Sequence, residues 1–322
     1  MTAGDRAVFV AVAGATSIAT SATLVRLADV APATAAAFRC LYALPILALF
    51  ALRERRTVGP PTRREHRYAL AAGVFFAVDL VLWHHAINYV GAGIATVLGN
   101  LQVVFVTAAA WLLLGERPGA RFASALPIVL TGVVLITGVF EDGAYGVDPV
   151  RGVIFGLGTS VAYAISLLLL RAGAGESRRG SAALLDFTLA AAVASAAMGP
   201  IAGGFDPIPA WPAHGWLVLL AVVAQALGWL LISYALPRLR ASMTALLLLF
   251  QPLGAMLLAA AVLSEQPSLL QLTGCGLVLA GVLLAAQRVR ASKQSEQARA
   301  GVVVATPNAT TPTAGAVVAP AD

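Results

Sequence analysis

Ten apolar runs of about 20 residues each, joined by loops too short to fold alone, take up most of this 322-residue chain. They lie at approximately 7–27, 32–53, 68–87, 91–114, 122–140, 151–171, 182–204, 214–236, 240–263 and 269–287. About 20 mostly apolar residues span ~30 Å of hydrocarbon as a helix. In lipid a helix satisfies its backbone polar groups internally, which a loop does not. The chain is 59% hydrophobic and 11% charged, where soluble domains carry about 25% charged residues. That excludes an ordinary soluble enzyme and a disordered regulator. The fold expected is an all-α polytopic membrane protein of ten transmembrane helices. The first run has only Arg6 before it and no clean small-residue cleavage site, so it reads as a retained span and not a signal peptide. Residues 291–322 lack periodicity and read as a disordered cytoplasmic tail, which empties the Asn308-Ala309-Thr310 glycosylation pattern of meaning.

Charge placement tests the count. With the N-terminus cytoplasmic, the inner segments contain RERRTVGPPTRREHR, GERPGAR, RAGAGESRRGS, PRLR and QRVRASK. Eighteen of the 21 Lys and Arg residues fall on that side, Arg26 and Arg151 fall outside, and Arg39 lies within a span. The outer loops read EDGAYGVDP and GGFDPIPAWPAHG. This is the positive-inside bias, and one span more or fewer would destroy it. Both termini are therefore expected in the cytoplasm, with the chain in the plasma membrane. The pI near 9.9 then reports basic loops beside anionic headgroups and not a nucleic-acid partner.

Shifting the chain by 149 residues lays the third to fifth runs over the eighth to tenth. Leu114, Glu116 and Pro118 meet Leu263, Glu265 and Pro267; Ala86 meets Ala235, and Gln102 meets Gln251. Val129-Leu130 and Gly132-Val133 meet Val278-Leu279 and Gly281-Val282. A slightly different shift places Arg26 over Arg171. The repeats are expected over 7–140 and 151–287. Five spans is an odd number, so the second copy enters the membrane from the opposite side. Two inverted halves can exchange conformations and expose a midplane site to each face in turn.

Ten spans in two such repeats resemble the drug/metabolite transporter superfamily, specifically its EamA-like transporters. The resemblance rests on LVRLADVAPATAAAFRCLYALPIL (24–47), AINYVGAGIATVLGNLQVVFVTAAAWLLLGERP (86–118) and LLLLFQPLGAMLLAAAVLSEQPSLLQLTGCGLVLAGVLLA (246–285). It implies export, less often uptake, of small metabolites such as amino acids or amphipathic compounds. In the family's pattern a proline follows the mid-span Gln in both halves. Here Gln251-Pro252 keeps it and Gln102-Val103 does not, so an interruption is expected in the ninth span alone.

Polar groups inside a bilayer are costly and mark candidate sites. Asp79 stands at the midplane, about 16 Å into the third run, with Trp83 and Ala86 on its face. It reads as an amine anchor or a proton carrier, against a structural hydrogen-bonded carboxyl. Arg39, with Tyr42 near its face, can clamp a carboxylate, pair with Asp79 or snorkel outward. A structural or gating role is favoured for it, because the resemblance often places a basic residue there. His84 shares a face with Asn88, and for both His84 and His85 an interfacial hydrogen bond outweighs a proton relay. Gln102 and Gln251 are midplane amides suited to a zwitterion or a hydroxylated substrate. Asn100 lies about 200° around the helix from Gln102, so both reach one cavity only after local unwinding. Gln225 and Trp229, four apart, make a polar-aromatic face, and Tyr163 and Tyr234 are aromatic candidates of the same kind. Asp186 reads as a snorkelling carboxylate near the inner surface. Glu116 and Glu265 read as caps at turns. Gly152/Gly156 and Gly276/Ala280 read as small-residue packing.

The partners expected are a small-molecule substrate and the lipid bilayer, with protons the candidate coupling ion and a homodimer the candidate assembly. The alternative is a polytopic membrane enzyme, or a receptor with a midplane ligand pocket. An enzyme would need a nucleophile–base or metal cluster, and the sequence holds no HExxH, GxSxG or Walker motif. No cofactor and no metal are expected, and Cys40 and Cys275 read as buried hydrophobes.

Overall fold

The computed structural model describes residues 3–114, 120–174, 180–235 and 241–286. The first half comprises α1 (Ala3–Ala28), α2 (Pro32–Val58), α3 (Arg63–Val90), α4 (Ala92–Gly99), α5 (Gln102–Leu114) and α6 (Ala120–Ile136). The second comprises α7 (Pro149–Ala174), α8 (Gly180–Ala197), α9 (Ala213–Leu220), a π-helical segment (Ala221–Gly228), α10 (Trp229–Ala235), α11 (Ala241–Leu263) and α12 (Leu269–Ala286). α4 with α5 make up the fourth rod, and α9, the π segment and α10 the eighth. Among the described residues, seven stretches are long and apolar enough to cross a membrane, and three shorter apolar helices bring the number to ten. The Glu116 turn and the 291–322 tail lie outside the described residues.

Local chemistry sets the helix ends. Thr62 and Glu65 form a reciprocal capping box at the start of α3. At the other end of α3, Gly91 adopts φ +87, where a side chain would strain the backbone. The seventh run was expected to stay helical to residue 204, but α8 stops at Ala197. Turns follow, ending in Gly203 and Gly204 at positive φ.

Contacts between the halves come in mated pairs. α3 packs on α7, and α1 packs on the eighth rod; α3 packs on α8, and α2 on the eighth rod. α1 meets α11 as α4 and α5 meet α7. Three further pairs, α2–α8, α4–α11 and α6–α12, join a helix to its own repeat mate. Each of these runs antiparallel. In α2–α8, the Glu54 carboxylate accepts from Ser181 N (3.2 Å) and Ala182 N (2.6 Å), while Asp206 N donates to Thr34 Oγ1 (2.9 Å) at the other end. In α6–α12, a Cβ on Gly132 would sit 2.6 Å from Gly274 O, while one on Gly281 would sit 2.4 Å from Val129 Cγ2. Mates that pack antiparallel are inverted relative to each other, as the odd number of spans requires.

The small-residue expectations divide. A Cβ on Gly152 would sit 2.1 Å from Val90 Cγ1, and one on Gly156 2.7 Å from Leu98 Cδ1, so both glycines permit close helix approach. Gly276 does not, because nothing lies within 4 Å of its Cβ position; Gly274, two residues earlier, faces α6 instead.

Candidate functional site

Between the halves lies a cavity of about 290 Å³. α3 contributes Phe76, Asp79, Leu80 and Trp83, and α2 contributes Arg39. Thr96, Gly99, Asn100 and Gln102 come from the fourth rod, and Ala15, Ile18 and Ser21 from α1. The second half supplies Thr159, Tyr163 and Leu167 from α7, Trp229 and Ile232 from α10, and Gln251 from α11.

One side of the cavity is charged and polar. Arg39 is 4% exposed and Asp79 6%, so Arg39 does not snorkel. The two act on each other electrostatically, yet no ion pair joins them among the described residues. The Arg39 guanidinium instead lies 5.9 Å from the centroid of Trp83, within cation–π range. Arg39 Nε and Nη1, Gln102 Oε1 and Ser21 Oγ have no hydrogen-bond partner among the described residues. A buried donor or acceptor without a partner costs about 1–3 kcal/mol, more when charged. The cavity also holds an aromatic cluster: Phe76 lies 6.1 Å from Tyr163 and 6.2 Å from Trp229, and Tyr163 lies 6.4 Å from Trp229.

Asn100 and Gln102 both reach the cavity because the fourth rod unwinds between them. The Asn100 side chain donates to Thr96 O (2.8 Å), the carbonyl its own N–H would take in an α-helix. That N–H turns to Val97 O (3.1 Å), and Leu101 N turns to Leu98 O (3.0 Å). Ser160 Oγ adds a bond to Leu98 O (2.6 Å) from α7. The helix break is thus in the fourth span, and the expectation for the ninth is corrected. α11 runs unbroken through Pro252, since proline removes one donor and a membrane helix absorbs that loss through its neighbours.

Eight of the eleven residues expected at the site line the cavity: Asp79, Trp83, Gln102, Gln251, Trp229, Asn100, Arg39 and Tyr163. The other three are placed elsewhere. Tyr42 bonds His214 Nδ1 (2.8 Å) in a cluster with Phe38. His84 bonds Pro32 O (3.0 Å), a structural contact at the start of α2. Gln225 is fully buried within the π segment, where i→i+5 bonding changes the spacing that brings side chains onto one face. Asp186 does not snorkel; it is buried and pairs with His66 at 2.7 Å. Phe76, Ser21, Thr96 and Thr159 were not anticipated. Hydroxyls are common in apolar helices, where they often bond the carbonyl four residues back as Thr96 does to Ala92 O, so no sequence signal singles out Ser21 or Thr159, which do not.

Glu265, in the α11–α12 turn, does not cap α12. Its carboxylate crosses to the other half and accepts from Ala92 N (2.7 Å) and Gly93 N (3.1 Å) at the start of α4. Nearby, in the loop joining the halves, burial pushes the Tyr145 phenol up from its ordinary range; the Glu265 carboxylate adds to this and Arg26 opposes it. Gln271 anchors that loop by accepting from Tyr145 N and donating to Tyr145 O, both at 2.9 Å.

An inverted-repeat bundle of apolar rods, with a charged and aromatic cavity walled by both halves, defines a multi-pass membrane transporter. Known proteins agree. The chain belongs to the EamA-like transporter family, whose sequence pattern it matches twice, over residues 5–138 and 150–287. It is 28% identical over 230 residues to a protein of Archaeoglobus fulgidus described as an uncharacterized transporter, covering 71% of this chain and 78% of that one. A solved crystal structure superposes with a TM-score of 0.59 over 89% of this chain and 100% of its own, at 18% identity. That likeness concerns the fold alone.

Proposed function

We propose that this transporter is a secondary exporter of small metabolites carrying both charge and apolar surface, such as amino acids or amphipathic amines. The observation that carries the reading is the cavity lining: Arg39 and Asp79 are buried without forming an ion pair, in one cavity with Phe76, Tyr163 and Trp229. Arg39 holds a substrate carboxylate, Asp79 holds an ammonium group or a proton, and Trp83 and Trp229 cover the apolar part. Gln102, Gln251 and Asn100 supply uncharged hydrogen bonds. The repeats 7–140 and 151–287 rock about the cavity and expose it to each side in turn. The basic loops and both termini face the cytoplasm of a plasma-membrane protein.

Purified protein in liposomes under an imposed pH gradient, screened against amino acids and cationic dyes, tests this. We expect gradient-driven movement of at least one compound class, abolished by Asp79→Asn and by Arg39→Gln. If no compound moves, or if Asp79→Asn transports as the native chain does, the mechanism is wrong. Impermeant labelling of single cysteines in the 54–67 loop tests orientation, and labelling from outside the cell would refute it.

A further inference from the structure

The connection between Glu265 and α4 joins the turn of one half to the cavity-lining segment of the other. α4 is buried at its start: Ala92, Ile94 and Ala95 are 0% exposed. Its first turn has donors that no helical carbonyl can satisfy. Gly91 at the N-cap offers no side-chain bond. The Glu265 carboxylate fills this role with two bonds and lies where the helix dipole favours negative charge. The fit is tight, because a Cβ on Gly91 would come within 2.8 Å of Glu265 Cδ and Oε2. Glu265 is itself fixed, being 4% exposed with its N–H bonded to Ala259 O (3.3 Å) at the end of α11.

At its other end α4 carries Thr96 and Gly99 in the cavity wall, followed by Asn100 at the break. Eight residues make a rod about 12 Å long. Its start is held by the α11–α12 turn, and its unwound end beside Gln102 is held by α7, through the Ser160 Oγ bond to Leu98 O. We infer that Glu265 is a positioning residue for transport: its carboxylate fixes α4 to the α11–α12 turn, so displacement of the second half moves Thr96, Asn100 and Gln102 in the cavity. The inference rests on the cavity being the transport site. It differs from local capping of a turn, because the bond crosses between halves and the residues it controls lie a helix length away.

The test needs no substrate, so its failure is distinguishable from failure of the transport screen. In a Cys40→Ala, Cys275→Ala background, Gly93→Cys with Met256→Cys reads the α4–α11 contact. A Cβ on Gly93 would lie 3.5 Å from Met256 Cβ, within disulfide range. Gly254→Cys with Ala19→Cys, whose Cβ separation would be 3.1 Å and so needs a few tenths of an ångström of relaxation to reach disulfide range, serves as a control between α11 and α1. We expect Glu265→Gln and Glu265→Ala to slow oxidative cross-linking of the first pair at least tenfold and leave the control pair unchanged, with Glu265→Asp intermediate. We also expect at least a fivefold change in the reaction of a single Gly99→Cys with a small cationic thiol reagent. Equal slowing of both pairs would reduce Glu265 to general stabilisation and overturn the inference. So would unchanged cross-linking of the first pair, or unchanged Gly99→Cys reactivity.

Discussion

Gly73→Ala puts the helix contact behind the cavity to a quantitative test. A Cβ at position 73 of α3 would stand 2.2 Å from the Phe187 carbonyl oxygen and 2.8 Å from Ala190 Cβ on α8. The nearest obstacle is backbone, which no rotamer change can move. Restoring an ordinary contact of about 3.5 Å requires the helices to part by roughly 1 Å. Overpacking of this kind costs about 1–3 kcal/mol, and the gain from replacing glycine inside a helix returns about 0.5–1 kcal/mol. Against a backbone obstacle the upper part of the overpacking cost applies, so the net loss is about 1–2.5 kcal/mol, which lowers the melting midpoint of a 322-residue chain by roughly 1.5–4 °C. Cys40 and Cys275 are both buried, one in each half, so a fluorogenic thiol dye reports unfolding of detergent-solubilised protein without engineered labels. Gly276→Ala is the matched control: its Cβ meets nothing within 4 Å, and its midpoint should hold or rise. Phe76 and Asp79 follow Gly73 on the same helix and line the cavity, so transport by Gly73→Ala should fall by more than its folded fraction. A midpoint equal to that of Gly276→Ala would refute the close approach of α3 and α8.

Asn100→Ala leaves the Thr96 carbonyl to the main chain and should make the fourth rod continuous, slowing amide exchange at 100–104 and cutting transport at least tenfold. Glu54→Ala removes the acceptor for Ser181 N and Ala182 N at the start of α8 and should cost about 0.5–2 kcal/mol in thermal stability. Tyr42→Phe leaves buried His214 without its phenol partner and should cost about 1–3 kcal/mol. Because neither residue lines the cavity, its substrate affinity should be unchanged in a direct binding titration.

Ten rods were legible because hydropathy over 20 residues sums many small terms, and two repeats because glutamine, glutamate and proline recur at one spacing. Finer features depended on competition between single bonds. Pro252 announces a break that the structure does not contain, since a continuous helix tolerates one missing donor. Asn100 causes a break with no proline, because its amide takes the carbonyl that its own N–H needs. Asp79 and Arg39 were legible as charges in apolar runs. Tyr42 and His84 could be placed only once His214 and the Pro32 carbonyl were known to lie beside them, and these partners are 172 and 52 residues away. Glu265 was legible as a cap, but which helix it capped was not, because the recipient belongs to the other half.

The break in the fourth rod has no counterpart in its mate. At the shift of 149 residues, Thr96 and Asn100 correspond to Ala245 and Leu249, neither of which can bond a helix carbonyl through its side chain. Under the proposed exchange of conformations, the outward- and inward-facing forms would be related by a two-fold rotation, and equal in energy, only if the halves were chemically equal. They are not, so the two forms differ in free energy even without substrate or gradient. Each 1.4 kcal/mol of difference sets a tenfold preference for one form, and a ligand shifts that preference only by its own difference in affinity for the two. On that proposal, the Thr96–Asn100 pair is one of the differences that would give the transporter a resting side.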